Sequence, residues 1–211
     1  MSRLRVVPIV EGEGEVACIR ILLDRIWREL LGGEFVEVVR PIRGKRGQLV
    51  KPSGIEEAIG HAVNILKELP EADDPSLVLI LIDADDDCPK DLGPKLLEYA
   101  RAAHSAIDIA CVLANVDYET WFVAAAESLT EYLDLALGPP VSESPEQSRH
   151  RKAWVEQRFR RTKEKTKYTE LKHQPAMTRA MDLTQCRDRS PSFRKLCREL
   201  EKRLQRLDAS D

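Results

Sequence analysis

The chain reads as an α/β protein with a mostly parallel sheet flanked by helices, and three observations predict it. Short apolar runs alternate with helical periodicities four times over: strand, helix, strand, helix through residue 129. Such alternation argues for parallel strands joined by right-handed helical crossovers. The run Leu77 to Ile82 is six apolar residues without alternation, rich in Val, Ile and Leu, as a strand buried on both faces requires. Finally, acidic residues follow the strands, at the carboxyl edge where open parallel sheets bind ligands.

Taken in order, Leu4 to Val10 is the first strand, and Glu11-Gly12-Glu13-Gly14-Glu15 follows at once. Glycines there let the backbone turn and let a ligand approach. From Val16, the apolar positions Ile19, Leu22, Leu23, Ile26, Trp27, Leu30 and Leu31 repeat with helical period until Gly32-Gly33. The turn matches neither GxGxxG nor GxxxxGK[ST], so neither a dinucleotide fold nor a P-loop is indicated. Glu11 and Glu15, one helical turn apart, are placed to face one site, while Glu13 points to solvent. Phe35 to Ile42 is a second strand, followed by a basic loop in which Lys45 and Arg46 are either phosphate contacts or parts of a solvated turn. Ser53 with Glu56 reads as a capping box opening a helix to about Leu69.

The third strand runs into Asp83, Asp85, Asp86 and Asp87. Four carboxylates within five residues repel one another unless a cation offsets them. On an extended segment Asp83 and Asp85 point the same way and can share one hard metal ion; a solvated acidic loop is the plainer reading. Leu92 to His104 is a helix, Ile107 to Leu113 the fourth strand, and Trp121 to Leu129 a further helix, with Asn115, Asp117, Tyr118 and Glu119 in the turn between.

The net charge of −3 conceals a split: residues 1–147 hold 14 Lys and Arg against 27 Asp and Glu, residues 148–211 hold 19 against 9. An acidic site and a polyanion-facing surface are the implied pair, although charged helices facing water give the same count. Three regions follow: an α/β domain over 1–137, a Pro- and Ser-rich linker or exposed loop over 138–148, and a basic helical C-terminal region over 149–211 that packs on the first. In the last region Arg160, Arg161, Lys163 and Lys167 suit nucleic-acid backbone contacts or an acidic partner. Lys172 is a candidate for stabilising phosphate charge, and lone His173 suits an ordinary hydrogen bond. Ser190 reads as the N-cap of a last helix with Phe193, Leu196, Leu200 and Leu204 in its buried stripe. Five cysteines without CxxC or CxxH spacing argue against zinc and against a secreted disulfide framework. No apolar run reaches membrane-spanning length and the N-terminus lacks a signal-peptide core, so a reducing cytoplasm is expected.

Val10-Glu11-Gly12-Glu13 after one strand and Asp83-Ala84-Asp85 after another resemble the Toprim domain of topoisomerases, primases and OLD-family nucleases. The likeness extends to small stand-alone bacterial Toprim-like proteins through Tyr118-Glu119-Thr120-Trp121-Phe122, Lys172-His173-Gln174 and Ser190-Pro191-Ser192-Phe193-Arg194. The resemblance implies phosphodiester hydrolysis in nucleic acid with one or two Mg²⁺ or Mn²⁺ ions. Glu11 would bind metal or act as general acid/base, Asp83 and Asp85 would hold metal, and Glu15, Asp87 and Glu119 would complete the set. It further implies a role in bacterial defence or repair beside a separate ATPase subunit, with a homo-oligomer compatible. A non-catalytic interaction or regulatory module on the same fold is the alternative.

Overall fold

The computed structural model describes residues 3–70, 74–137, 144–147, 150–160 and 167–209. Strand β1 (Leu4–Val10) leads through helix α1 (Glu13–Arg25), which widens into a π-helical turn at Ile26–Leu30 and stops at Gly32, held at φ +74°. Two short strands follow, β2 (Val36–Val38) and β3 (Ile42–Arg43), then α2 (Arg46–Leu49) and α3 (Pro52–Glu68). The central strand β4 (Ser76–Asp83), helix α4 (Pro89–Ala103) and strand β5 (Ile109–Ala114) complete the sheet. Beyond it lie α5 (Glu119–Ala124), α6 (Arg151–Arg158), α7 (Glu170–Ala180), α8 (Leu183–Arg189) and α9 (Pro191–Asp208).

All pairings are parallel, in the order β2-β1-β4-β5, with β3 on the same edge of β1 as β2. The single strand expected over Phe35 to Ile42 is therefore broken in two. Pro41 has no N–H for the ladder, and the chain leaves β1 at Val39 and rejoins it at Ile42. The route from β1 goes out to β2 and β3, then back across to β4, so the connections diverge between β1 and β4. That divergence is the switch point at which open α/β sheets carry ligand crevices.

Alternate side chains of the sheet feed two cores. Val7, Ile9, Val78, Ile80, Ile82, Cys111 and Leu113 pack against α3 and α4. Val6, Val10, Leu77, Leu79, Leu81 and Val112 pack beneath α1 and the C-terminal helices. That second core is continuous from β1 to Leu207, so residues 150–160 and 167–209 finish the same core rather than forming a separate one. Helix α5 is buried on every side, with Trp121 donating its indole N–H to Ser192 Oγ at 3.0 Å and packing edge-on against Phe193.

The helix signals are partly those expected. Ser190 Oγ accepts the Phe193 N–H and Pro191 occupies the first turn of α9, whose buried stripe includes Phe193, Leu196 and Leu200. The capping box at Ser53 does not form: α3 begins two residues earlier, with Lys51 at the cap and Pro52 in the first turn. Pro52 supplies the pre-set φ that starts the helix, which leaves Ser53 inside it. The stretch expected to be a linker over 138–148 is described only at 144–147. There Glu146 accepts hydrogen bonds from Ser190 Oγ, Ser192 N–H and Ser192 Oγ at 2.5–2.7 Å, so this part is pinned to α9. Among the described residues no helix is long and apolar enough to cross a membrane.

Candidate functional site

Every acid singled out lies at the carboxyl edge of the sheet, but in two groups. Glu11 follows β1 directly, and its Oε1 accepts the Asp83 backbone N–H at 2.8 Å. This bond continues the β1–β4 ladder past Ile9 and Ile80 and locks the carboxyl across the switch point. Glu15 sits in the first turn of α1, buried to 8% exposure, and its Oε2 has no hydrogen-bond partner. A Cβ on Gly12 would collide with that same oxygen, so the first glycine of the turn makes room for Glu15. A Cβ on Gly14 would collide with Gln174, so the second lets α7 close on α1. Glu119 begins α5 at 2% exposure, and its Oε1 accepts from Tyr168 Oη at 2.8 Å and Gln174 Nε2 at 3.2 Å.

These side chains form one electrostatic unit. Asp83 is held well above the usual carboxylate range by burial, then by the charges of Glu15, Glu11, Glu119 and Asp117. Burial pushes Glu11 up to about 7 against the opposing Asp83 N–H and Arg46, and Glu15 rises for the same first reason. Glu119 is pushed up to about 7 by burial and by Asp117, against the pull of Tyr168 and Gln174. Asp117 is itself raised by burial, while accepting N–H groups from Thr120 and Lys152. Asp117 stands in the predicted turn but belongs to no recognisable motif, so only its place at the end of β5 marked it. Tyr168 carried no signal, and Gln174 entered only as the last residue of Lys172-His173-Gln174 in the resemblance, with no role attached to it.

The second group is tied to Arg46, and Asp85 and Arg46 both still act on Glu11 through their charges. Strand β4 ends at Asp83, and Asp85 lies in the left-handed region at φ +50°. The extended segment that would aim Asp83 and Asp85 at one ion is absent. Asp85 and Asp87 are exposed and turn to Arg46, whose Nε lies 3.0 Å from Asp85 and whose Nη2 lies 2.5 Å from Asp87. Arg46 also donates to the carbonyls of Asp83 and Ala84, so it fastens the acidic loop instead of standing free for a phosphate. Lys45, Arg160, Lys167 and Lys172 are exposed; Arg161 and Lys163 lie outside the described residues. Glu13 is exposed and pairs with Arg43. His173 accepts the Thr169 N–H at Nδ1 and stacks on Tyr168, an ordinary structural histidine. The five cysteines are free, four of them buried.

Among the described residues no three His, Cys, Asp or Glu side chains stand ready as a closed metal-ligand set. The residues nevertheless fit a hard divalent cation. Their donors are carboxylate oxygens, one buried oxygen is orphaned, and burial and mutual repulsion have pushed several of them toward protonation. Mg²⁺ keeps several of its waters and needs only one or two direct carboxylates, so an open arrangement suits it. Glu11, Glu15, Asp83 and Glu119 are the residues that would hold it, with Asp117 behind them. No curated protein and no solved structure matches the chain. A family model described as a domain of unknown function (DUF4276) matches residues 10–201, and the chain belongs to that family.

Proposed function

We propose that the chain is a Mg²⁺- or Mn²⁺-dependent nuclease that hydrolyses phosphodiester bonds at the Glu11–Asp83 edge of its sheet. One observation carries the reading: carboxylates just after β1, in α1, at the end of β4 and at the start of α5 are coupled electrostatically around Asp83 at the switch point, with Glu15 and Glu119 buried and one Glu15 oxygen lacking a hydrogen-bond partner. Desolvated, mutually repelling carboxylates resist ionisation, and a divalent cation would favour their charged form. The resemblance to Toprim nucleases points the same way and is the sole basis for expecting a partner ATPase or a defence role. A metal ion bound there would polarise the phosphate and acidify its water.

The residues divide the remaining work. Glu11 has Oε1 engaged by the Asp83 N–H, which leaves Oε2 either to hold the metal or to take a proton from the attacking water. Tyr168 and Gln174 fix the Glu119 carboxylate in orientation. Arg46 holds the Asp85–Asp87 loop beside the crevice. The alternative, an interaction module without turnover, is favoured by that same arginine, which already neutralises two of the acids.

The test is cleavage of plasmid and of labelled oligonucleotides in Mg²⁺ and Mn²⁺ by wild type and Glu11→Gln. Metal-dependent cutting reduced by about 10²-fold or more in the variant supports the nuclease; cutting unchanged in Glu11→Gln rejects it.

A further inference from the structure

Strand β5 is the outer strand of the sheet, and helices α4 and α9 stand as walls on its two faces. Between them runs a cavity of about 310 Å³ floored by Ile109, Ala110 and Cys111. Its cations are Arg101 from α4 and Lys195, Lys202, Arg203 and Arg206 from α9; its acids are Asp108 and Glu199. The acids are already answered. Arg203 grips Asp108 at 2.5 Å and 2.9 Å and Glu199 at 2.5 Å. Arg101 and Lys195 form no ion pair among the described residues. Lys202 and Arg206 reach solvent with side chains 56% and 68% exposed even while touching Glu199 and Asp108.

The cavity therefore holds more positive charge than the fold uses. Its order along the helix is also directional. Lys195 reaches toward Gly93, in the second turn of a helix that starts two residues after Asp87. Lys202 follows about 10 Å further along α9 and Arg206 about 6 Å beyond that. The row starts near the acidic edge and descends along β5. Lysines on an edge strand commonly guard against strand addition, but here two helices already obstruct that edge.

We infer that the α4–α9 groove binds the phosphate backbone of a nucleic acid and leads it to the acidic edge. This rests on the proposed nuclease reading and adds the surface that presents its substrate. No aromatic side chain lines the groove, so binding there is by phosphate and independent of sequence. A local cationic row serves this purpose in a chain whose net charge is −3.

The test is fluorescence anisotropy of a labelled 30-nucleotide strand and its duplex, in EDTA so that nothing is cut, with the full chain at several salt concentrations. Wild type is compared with Lys195→Glu/Lys202→Glu, with the milder Lys195→Gln/Lys202→Gln, and with Arg20→Glu on exposed α1 as a control for net charge. Circular dichroism melting establishes that each is folded. The expected result is at least tenfold weaker binding in the Glu pair and a smaller loss in the Gln pair. The slope of log affinity against log salt should fall by about 1.5 for two lost phosphate contacts, with Arg20→Glu close to wild type. Binding equal to wild type in both folded double variants, or no oligonucleotide binding by wild type, overturns the inference. The groove and the nuclease fail separately. Binding lost in the variants of a protein that cuts nothing keeps the groove, and undiminished cutting by the variants keeps the nuclease alone.

Discussion

Glu15 places a carboxylate oxygen where no donor meets it, and Gly12 leaves the space that allows this. In metal-free protein that charge repels Asp83. Glu15→Gln should therefore raise the unfolding free energy at pH 8 by on the order of 1 kcal/mol in EDTA, and weaken divalent-cation binding in the same sample. Denaturant titrations with and without Mg²⁺ read both, and a variant less stable than wild type in EDTA contradicts the assignment. The acids also set a pH dependence. Glu11 and Glu119 titrate near 7 when folded and near their ordinary value of 4.5 when unfolded, so the folded chain holds more protons between those values. Stability is then greatest below about pH 4.5 as far as these groups are concerned, and is lost as pH rises through 7. Glu119, at 2% exposure, accounts for about 3 kcal/mol of the loss. Unfolding in EDTA at pH 5.5 and 8 should show the fall, and saturating Mg²⁺ should reduce it.

At the scale of elements, the strands and the acids that end them were legible because an unalternated apolar run and its terminal Asp or Glu are local in sequence. Glu11, Glu15 and Glu119 lie at strand ends and helix starts, and their charges act on Asp83. Asp85 was misplaced because the reading assumed an extended chain where the backbone turns left-handed immediately after Asp83. Arg46 was misread because its partners lie about forty residues away. The contacts of Tyr168 and Gln174 with Glu119 were invisible for the same reason: α7 comes to Glu119 through its packing on α1. Tyr168→Phe removes one hydrogen bond to a buried carboxylate and should cost about 1–2 kcal/mol of stability by denaturant titration. On the proposed nuclease reading it should also lower turnover. Gly14→Ala drives Gln174 away from Glu119 and should cost at least as much.

At the scale of the molecule, the basic C-terminal part finishes the core that begins at β1, and Glu146 ties the intervening segment to Ser190 and Ser192. The Pro- and Ser-rich composition that suggests a linker hides that single anchoring acid. Glu146→Ala leaves Ser192 N–H without its partner and should lower the unfolding free energy by about 1–3 kcal/mol, in one transition shared by the whole chain. A separate low-temperature transition of the C-terminal helices would contradict a common core. Four of the cations of residues 148–211, Lys195, Lys202, Arg203 and Arg206, line the groove beside β5. The most direct measurement is calorimetric titration of Mg²⁺ and Mn²⁺ into wild type, Asp83→Asn and Asp85→Asn, with plasmid nicking followed in the same samples. The inner carboxylates as the metal centre predict that Asp83→Asn loses both binding and nicking, while Asp85→Asn, whose acid faces Arg46, keeps most of each. Metal binding that survives Asp83→Asn, or a wild type that binds neither ion, would contradict it.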